Sequence, residues 1–180
     1  MTNTRTAPLG CGARNRSGSR IITGYEMDLS SLLKPRAVKV LTDVTSKKRL
    51  MQSISALAHD LIELPEGQIF DALQERESLG PTGVGHGVAL PHARLPELTE
   101  VHGAFFRLEK PVDFDAADKQ PVDLVFALFA PADTGVDHLK ALALVSRTLR
   151  DAGLRAKLRA NSDAATLHTL LTEYATSKAA

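Results

Sequence analysis

Three of the six histidines, His86, His92 and His138, stand in settings suited to chemistry. Two of them fall in "GPTGVGHGVALPHAR", residues 80–94, where four glycines and two prolines accompany them. Pro91 stiffens the approach to His92 and biases Leu90 towards an extended backbone. The neighbouring glycines let backbone amides come close to a bound group. His138 falls in the first turn of an expected helix, where free N–H groups and the helix dipole favour an anion. A phosphate-accepting histidine needs a neutral imidazole nitrogen near pH 7, and histidine alone offers one without a large pKa shift. It must also be exposed, and N–H groups, a second imidazole or an arginine must meet the phosphoryl charge. His92 fits that description. The same three histidines also suit a metal site, although no acidic ligand stands beside them and the spacing is loose. Both readings stay open on spacing alone.

The other histidines read as structural or surface residues. His59 and His168 lie among leucines in helical patterns, and His102 alternates with apolar neighbours on a strand. The glycines do not form a P-loop, because no Gly-Lys-Ser/Thr follows. Nor do they form a dinucleotide fingerprint, since no strand leads in and no helix leads out. No Gly-x-Ser-x-Gly is present, which speaks against a nucleophile-elbow hydrolase.

Elements must position these residues. "VKVL" (38–41) predicts a strand. From Ser46 onward, after a start signal at Thr45, Leu50, Ile54, Leu57 and Leu61 recur at helical spacing. Pro65 suits the first turn of a second helix with Ile69, Phe70 and Leu73 on one face, and Gly80-Pro81 stops it. A strand is expected near 100–109. "PVDLVFALFA" reads as a central strand covered on both faces. "TGVD" (134–137) resembles a capping box that opens a helix whose inner face is Leu139, Leu142, Val145 and Leu149. A short helix at 151–160 and a last one from about Ser162 complete the set. The fold class expected is α/β, a single domain with a mixed β-sheet flanked by helices.

Composition is that of an ordinary globular chain. The 180 residues suffice for one full-sized core, with 43% hydrophobic and 24% charged residues. The net charge of +1 gives no pointer to nucleic acid or an anionic membrane. A single cysteine, Cys11, excludes an internal disulfide and fits a reducing, cytoplasmic setting. Residues 1–26 hold Arg5, Arg14, Arg16 and Arg20 against one acid, Glu26. An Arg-rich, acid-poor start can be a transit peptide, but no amphipathic helix can be drawn through it. The expectation is a disordered tail, or sequence upstream of a true start at Met27, followed by one domain over 27–176.

"ERESLGPTGVGHGVALPHAR", "PVDFDAADKQPVDLVFALFAPAD" and "DHLKALALVSRTLRD" closely resemble EIIA domains of the phosphoenolpyruvate-dependent phosphotransferase system, fructose/mannitol superfamily. The resemblance runs from about Met27 to Tyr174 and is strongest to the nitrogen-regulatory branch. It implies a phosphotransferase with a phosphohistidine at His92. His138 would hold the phosphoryl group, and Arg76 would be the active-site arginine. No cofactor or metal is implied, because histidine-to-histidine transfer is mostly positioning and charge stabilisation. The partners implied are an HPr- or NPr-type phosphocarrier and regulatory targets such as potassium-transport or stress-signalling proteins. A docking surface is expected around Val84, Val88 and Leu90. Pro81 departs from the family in standing where a small polar residue is common, and His86 occupies a variable position with no assigned role. A sugar-specific EIIA feeding an EIIB, and a histidine metal-binding protein, are the alternatives.

Overall fold

The computed structural model describes residues 27–133 and 135–179. Its centre is one mixed sheet. The strands are β1 (Leu33–Leu41), β2 (Gly83–Gly85), β3 (Val88–Ala89), β4 (His92–Leu95), β5 (His102–Val112) and β6 (Val122–Pro131). They lie in the order β1-β5-β6-β3-β2, with β4 also pairing to β6. β1 runs parallel to β5, β5 antiparallel to β6, and both β3 and β4 parallel to β6. The expectation of a mixed sheet between helices in a single domain therefore holds.

β6 is the hub, and its sequence explains why. Of its ten residues only Asp123 is not buried, so the strand has apolar neighbours on both faces, as a near-continuous Val/Leu/Phe/Ala run requires. β3 and β4 follow one another along a single edge of β6. Val88 and Ala89 pair with Leu124 and Val125, and His92 to Leu95 pair with Leu128 to Pro131. Between them, Pro91 offers no N–H, but its carbonyl still accepts from Leu128 N–H at 3.0 Å. The break therefore re-aims the chain without detaching it from β6, and His92 emerges as the first residue of a paired strand. The glycine-rich stretch is thus mostly short strand rather than loop.

The helices are α1 (Leu29–Leu32), α2 (Lys47–Ile62), α3 (Glu66–Ser78), α4 (Gly135–Leu149), α5 (Ala152–Ala160) and α6 (Ala164–Ala179). Ser46, not Thr45, caps α2, its hydroxyl accepting from Arg49 N–H at 3.2 Å. Pro65 stands at the cap position of α3, where its missing N–H costs nothing. Asp151 caps α5 through Leu154 N–H. α2 packs on α3, and α6 packs on α1, α4 and α5. α3 also contacts β4, α4 contacts β6, and α6 contacts β1.

One local expectation changes. The inner face of α4 is His138, Ala141, Val145, Thr148 and Leu149, while Leu139 is 62% exposed. A leucine stripe predicted the face, yet the helix is rotated so that a histidine takes the inward position. Thr134, the proposed cap of that helix, lies outside the described residues, as does the Arg-rich segment 1–26.

Candidate active site

His92 opens β4, Arg76 stands in the last turn of α3, and His138 in the first turns of α4. The structure brings all three together. Arg76 Nε donates to His92 Nε2 at 2.9 Å. On the other side of the ring, His92 Nδ1 lies 2.9 Å from the Leu90 carbonyl oxygen. A carbonyl only accepts, so Nδ1 carries the proton and Nε2 presents a lone pair. The His138 ring faces this pair, its centroid 5.2 Å from that of His92 at a 48° tilt.

Each residue is held from behind. Arg76 also donates through Nη1 to Gly80 O at 3.0 Å, across the turn that ends α3. Gly80-Pro81 forces that turn, because the residue before proline avoids the helical region. The next carboxylate, Glu77, accepts from both Thr82 N–H and Thr82 Oγ–H, and it pairs with Lys47 Nζ at 2.9 Å. Lys47 in turn reaches Asp115 and the Phe114 carbonyl. α2, α3 and the start of β2 are thus tied together beside Arg76.

His86 does not join the site. It forms, with Gly87, the two-residue turn between β2 and β3, and φ is +57° and +75° at the two positions, the signs of a type I′ hairpin. Its backbone N–H donates to Asp118, and its carbonyl accepts from Arg159. Among the described residues no three His, Cys, Asp or Glu side chains stand close enough to hold a metal ion. The metal alternative therefore has no ligand set there. His59 and His168 bond to the Leu64 and Leu33 carbonyls, in keeping with structural roles.

The electrostatics favour neutral imidazoles. Burial, more than any other cause, pulls His92 below the ordinary histidine pKa. The Leu90 hydrogen bond opposes it, and the charges of Arg76 and Arg94 add to it. His138 is pushed down to about 4, first by burial and then by His92, Arg94 and Arg76. It is 4% exposed, and its Nδ1 is buried with no hydrogen-bond partner. The arrangement is a lone pair on one histidine, a second neutral ring and a converging positive field, which suits a group that is itself strongly anionic.

Sequence reasoning missed Arg94 and the Leu90 carbonyl. Arg94 follows His92 by two residues on β4, so strand alternation puts both on one face. That signal was present in "HAR". The carbonyl had no signal, since backbone groups carry no residue type. The expected docking surface also shifts. Val88 and Leu90 are buried, and Val84 is 51% exposed. The other exposed large apolar residues among those described are Leu79 at the end of α3 and Val136 and Leu139 at the start of α4, each within three residues of Arg76 or His138 in the chain.

Comparison with known proteins identifies the family. Residues 31–174 match the model of the phosphoenolpyruvate-dependent sugar phosphotransferase system, EIIA 2. The chain is 46% identical over 145 residues to a nitrogen regulatory protein of Bradyrhizobium diazoefficiens, covering 81% of this chain and 95% of that one. It is 41% identical over 148 residues to the nitrogen regulatory protein of Escherichia coli, covering 82% and 91%. The crystal structure of the nitrogen regulatory protein IIA-Ntr from Neisseria meningitidis superposes with a TM-score of 0.75 at 35% identity, covering 80% of this chain and 99% of that one. The chain belongs to the EIIA 2 family of the phosphoenolpyruvate-dependent phosphotransferase system and is a regulatory-type member of it.

Proposed function

We propose that this protein is a phosphocarrier of a nitrogen-regulatory phosphotransferase system. It takes a phosphoryl group on His92 Nε2 from a phosphorylated HPr- or NPr-type protein, and its phosphorylation state regulates target proteins. The observation that carries the reading is the bracketing of the His92 ring: Leu90 O accepts from Nδ1–H, and Arg76 Nε–H donates to the Nε2 lone pair.

The step balances without a cofactor. His92 Nε2 attacks the phosphorus of the donor's phosphohistidine, the new N–P bond forms as the old one breaks, and the donor imidazole leaves. The proton stays on His92 Nδ1, hydrogen-bonded to the Leu90 carbonyl, so the product ring is an imidazolium carrying a phosphoryl dianion. That ring is a good leaving group, which keeps the phosphoryl group transferable. Arg76 Nε–H, freed from the lone pair, turns to a phosphoryl oxygen. His138 serves the same end when its proton sits on Nε2: the orphaned Nδ1 is then only an unfilled lone pair, and Nε2–H is left to donate. Arg94 adds positive charge. The domain doing this work spans 27–176, in a cytoplasmic setting. No described helix is long and apolar enough to cross a membrane.

Incubation with labelled phosphoenolpyruvate, an EI enzyme and an HPr-type carrier tests this directly. The label should appear as acid-labile, base-stable phosphate on His92 and be lost in His92→Ala with the melting temperature little changed, because a half-buried strand-end histidine contributes little to the core. Full labelling of His92→Ala would sink the assignment.

A further inference from the structure

The hairpin β2–β3 has a second side, and a cavity of about 190 Å³ lies there, lined by none of Arg76, His92 and His138. Its walls are Val84, Gly85 and Val88 of the hairpin, Leu149, and four polar side chains: His86, Ser146, Arg150 and Arg155. No carboxylate lines it. The acids on neighbouring segments are engaged: Asp118 accepts from His86 N–H, and Asp123 holds Arg159 in a two-bond pair. Asp151 caps α5 through Leu154 N–H.

Arg155 is the unusual member. It is only 8% exposed, and guanidinium groups are almost never so buried without a counter-charge. Its Nη1 donates to the Leu149 and Arg150 carbonyls at 2.9 and 2.6 Å, closing the end of α4. No ion pair to Arg155 exists among the described residues. Its Nε is buried with no hydrogen-bond partner. The edge of the guanidinium formed by Nε and Nη2, the edge that grips an oxyanion in two parallel bonds, is therefore left over. Ser146 stands one helical turn before Arg150. Unlike Ser53, Ser55 and Thr148, it makes no bond to the carbonyl four residues back among the described residues. Its hydroxyl is left free as well.

We propose that this cavity is a binding site for a small oxyanion, a phosphate or carboxylate group. Arg155 supplies the buried charge, Arg150 a second cation, and Ser146 and His86 further donors. The anion completes a charge balance that the chain leaves open, and it would rest against the hairpin that leads into Leu90 and His92. The inference stands apart from the phosphoryl-transfer reading, because it uses none of its residues.

Amide chemical shifts of the full chain, titrated at constant ionic strength with inorganic phosphate, with succinate and with chloride, test the proposal. Saturable shifts should appear at Gly85, His86, Ser146 and Arg150 with phosphate or succinate, and the arm that saturates names the group. They should persist in Arg76→Ala, which removes the competing anion position beside His92. They should weaken about tenfold or more in Arg150→Ala and in Ser146→Ala, the loss of one charge-assisted hydrogen bond. Both variants alter side chains outside the core, so folding is retained, unlike in Arg155→Met, which also uncaps α4. Shifts confined to Arg76, His92 and Arg94, or equal shifts with chloride, overturn the site.

Discussion

At the scale of single residues, the site is a contest over protons that burial decides. The role proposed for His92 needs a neutral ring, and burial together with Arg76 and Arg94 outweighs the Leu90 hydrogen bond that would favour the cation. His138 is held neutral more firmly still, at about 4. The sign of the linkage follows from a folded pKa below the unfolded value of about 6.5. Between pH 6.5 and about 4 the unfolded chain binds a proton that the folded His138 refuses. The stabilisation is complete above 6.5 and drains away as the pH falls through that window. The melting temperature should therefore drop more steeply from pH 6.5 to 4 in the wild type than in His138→Gln, and identical slopes would mean that His138 is not buried neutral. Rates separate the supporting roles. His138→Ala and Arg76→Ala should still accept phosphate on His92 but transfer it roughly ten- to a hundredfold more slowly, since each removes a hydrogen bond to a charged group worth about 1.5–3 kcal/mol. Quench-flow transfer at wild-type rates would remove that residue from the site. How legible this was differs residue by residue. The position of His92 behind Pro91 and of His138 in a first turn was readable from residue type, and Arg76 only through family resemblance. Arg94 was readable by alternation and overlooked. The Leu90 carbonyl was invisible, because it belongs to the backbone's path rather than to any side chain.

Among the described elements, the sequence pattern located five of the six helices and three of the six strands, and misjudged orientation once. β6 is a run of apolar residues and therefore central, and α2 and α3 follow their leucines. α4 failed because its stripe is ambiguous. Leu139 and Leu142 lie one residue from His138 and Ala141, so either set makes a helical face, and the choice depends on what waits across the interface. There the His92 ring accepts His138, and Leu139 is turned out to solvent. Short strands are the other blind spot. β2 and β3 have three and two residues, too few for any period, and only the His-Gly turn between them signals a hairpin. That turn is demanding. Gly87 has φ +75°, and a Cβ there would lie 2.7 Å from Asp123 Oδ1 and collide with Arg159 Nη2. The ion pair of Asp123 with Arg159 at 2.8 Å pins β6 to α5 across the hairpin, so neither partner can retreat cheaply. Gly87→Ala should lower stability by about 1–3 kcal/mol, through positive-φ strain and the displaced pair. Denaturant unfolding measures it, and a loss below about 0.5 kcal/mol would mean that the turn relaxes freely.

Over the whole molecule, exposed apolar residues stand close in the chain to Arg76 and His138. Leu79 is 80%, Val136 64% and Leu139 62% exposed, and these residues stand at the end of α3 and the start of α4. The same element ends carry Arg76 and His138. Solvent-exposed large apolar residues gathered at a site mark a surface that another protein covers. A phosphoryl group adds about −1.5 to −2 charges. For a donor carrier that delivers the group, Arg76 and Arg94 answer that charge during the transfer. For a regulatory target that covers these residues with apolar or acidic groups, the same charge must be desolvated without a partner, which disfavours the complex. The two forms should therefore be distinguished, with at least one target preferring the unphosphorylated protein. His92→Ala should capture that target as the dephosphorylated wild type does, and His92→Glu should capture less of it. Leu139→Ser should lose the target while keeping the fold, because Leu139 contributes nothing to the core in isolation. Pull-downs from lysate with these variants, quantified against phosphorylated wild type, read all three effects together. Equal recovery of every protein by every form would leave phosphate relay without a switch.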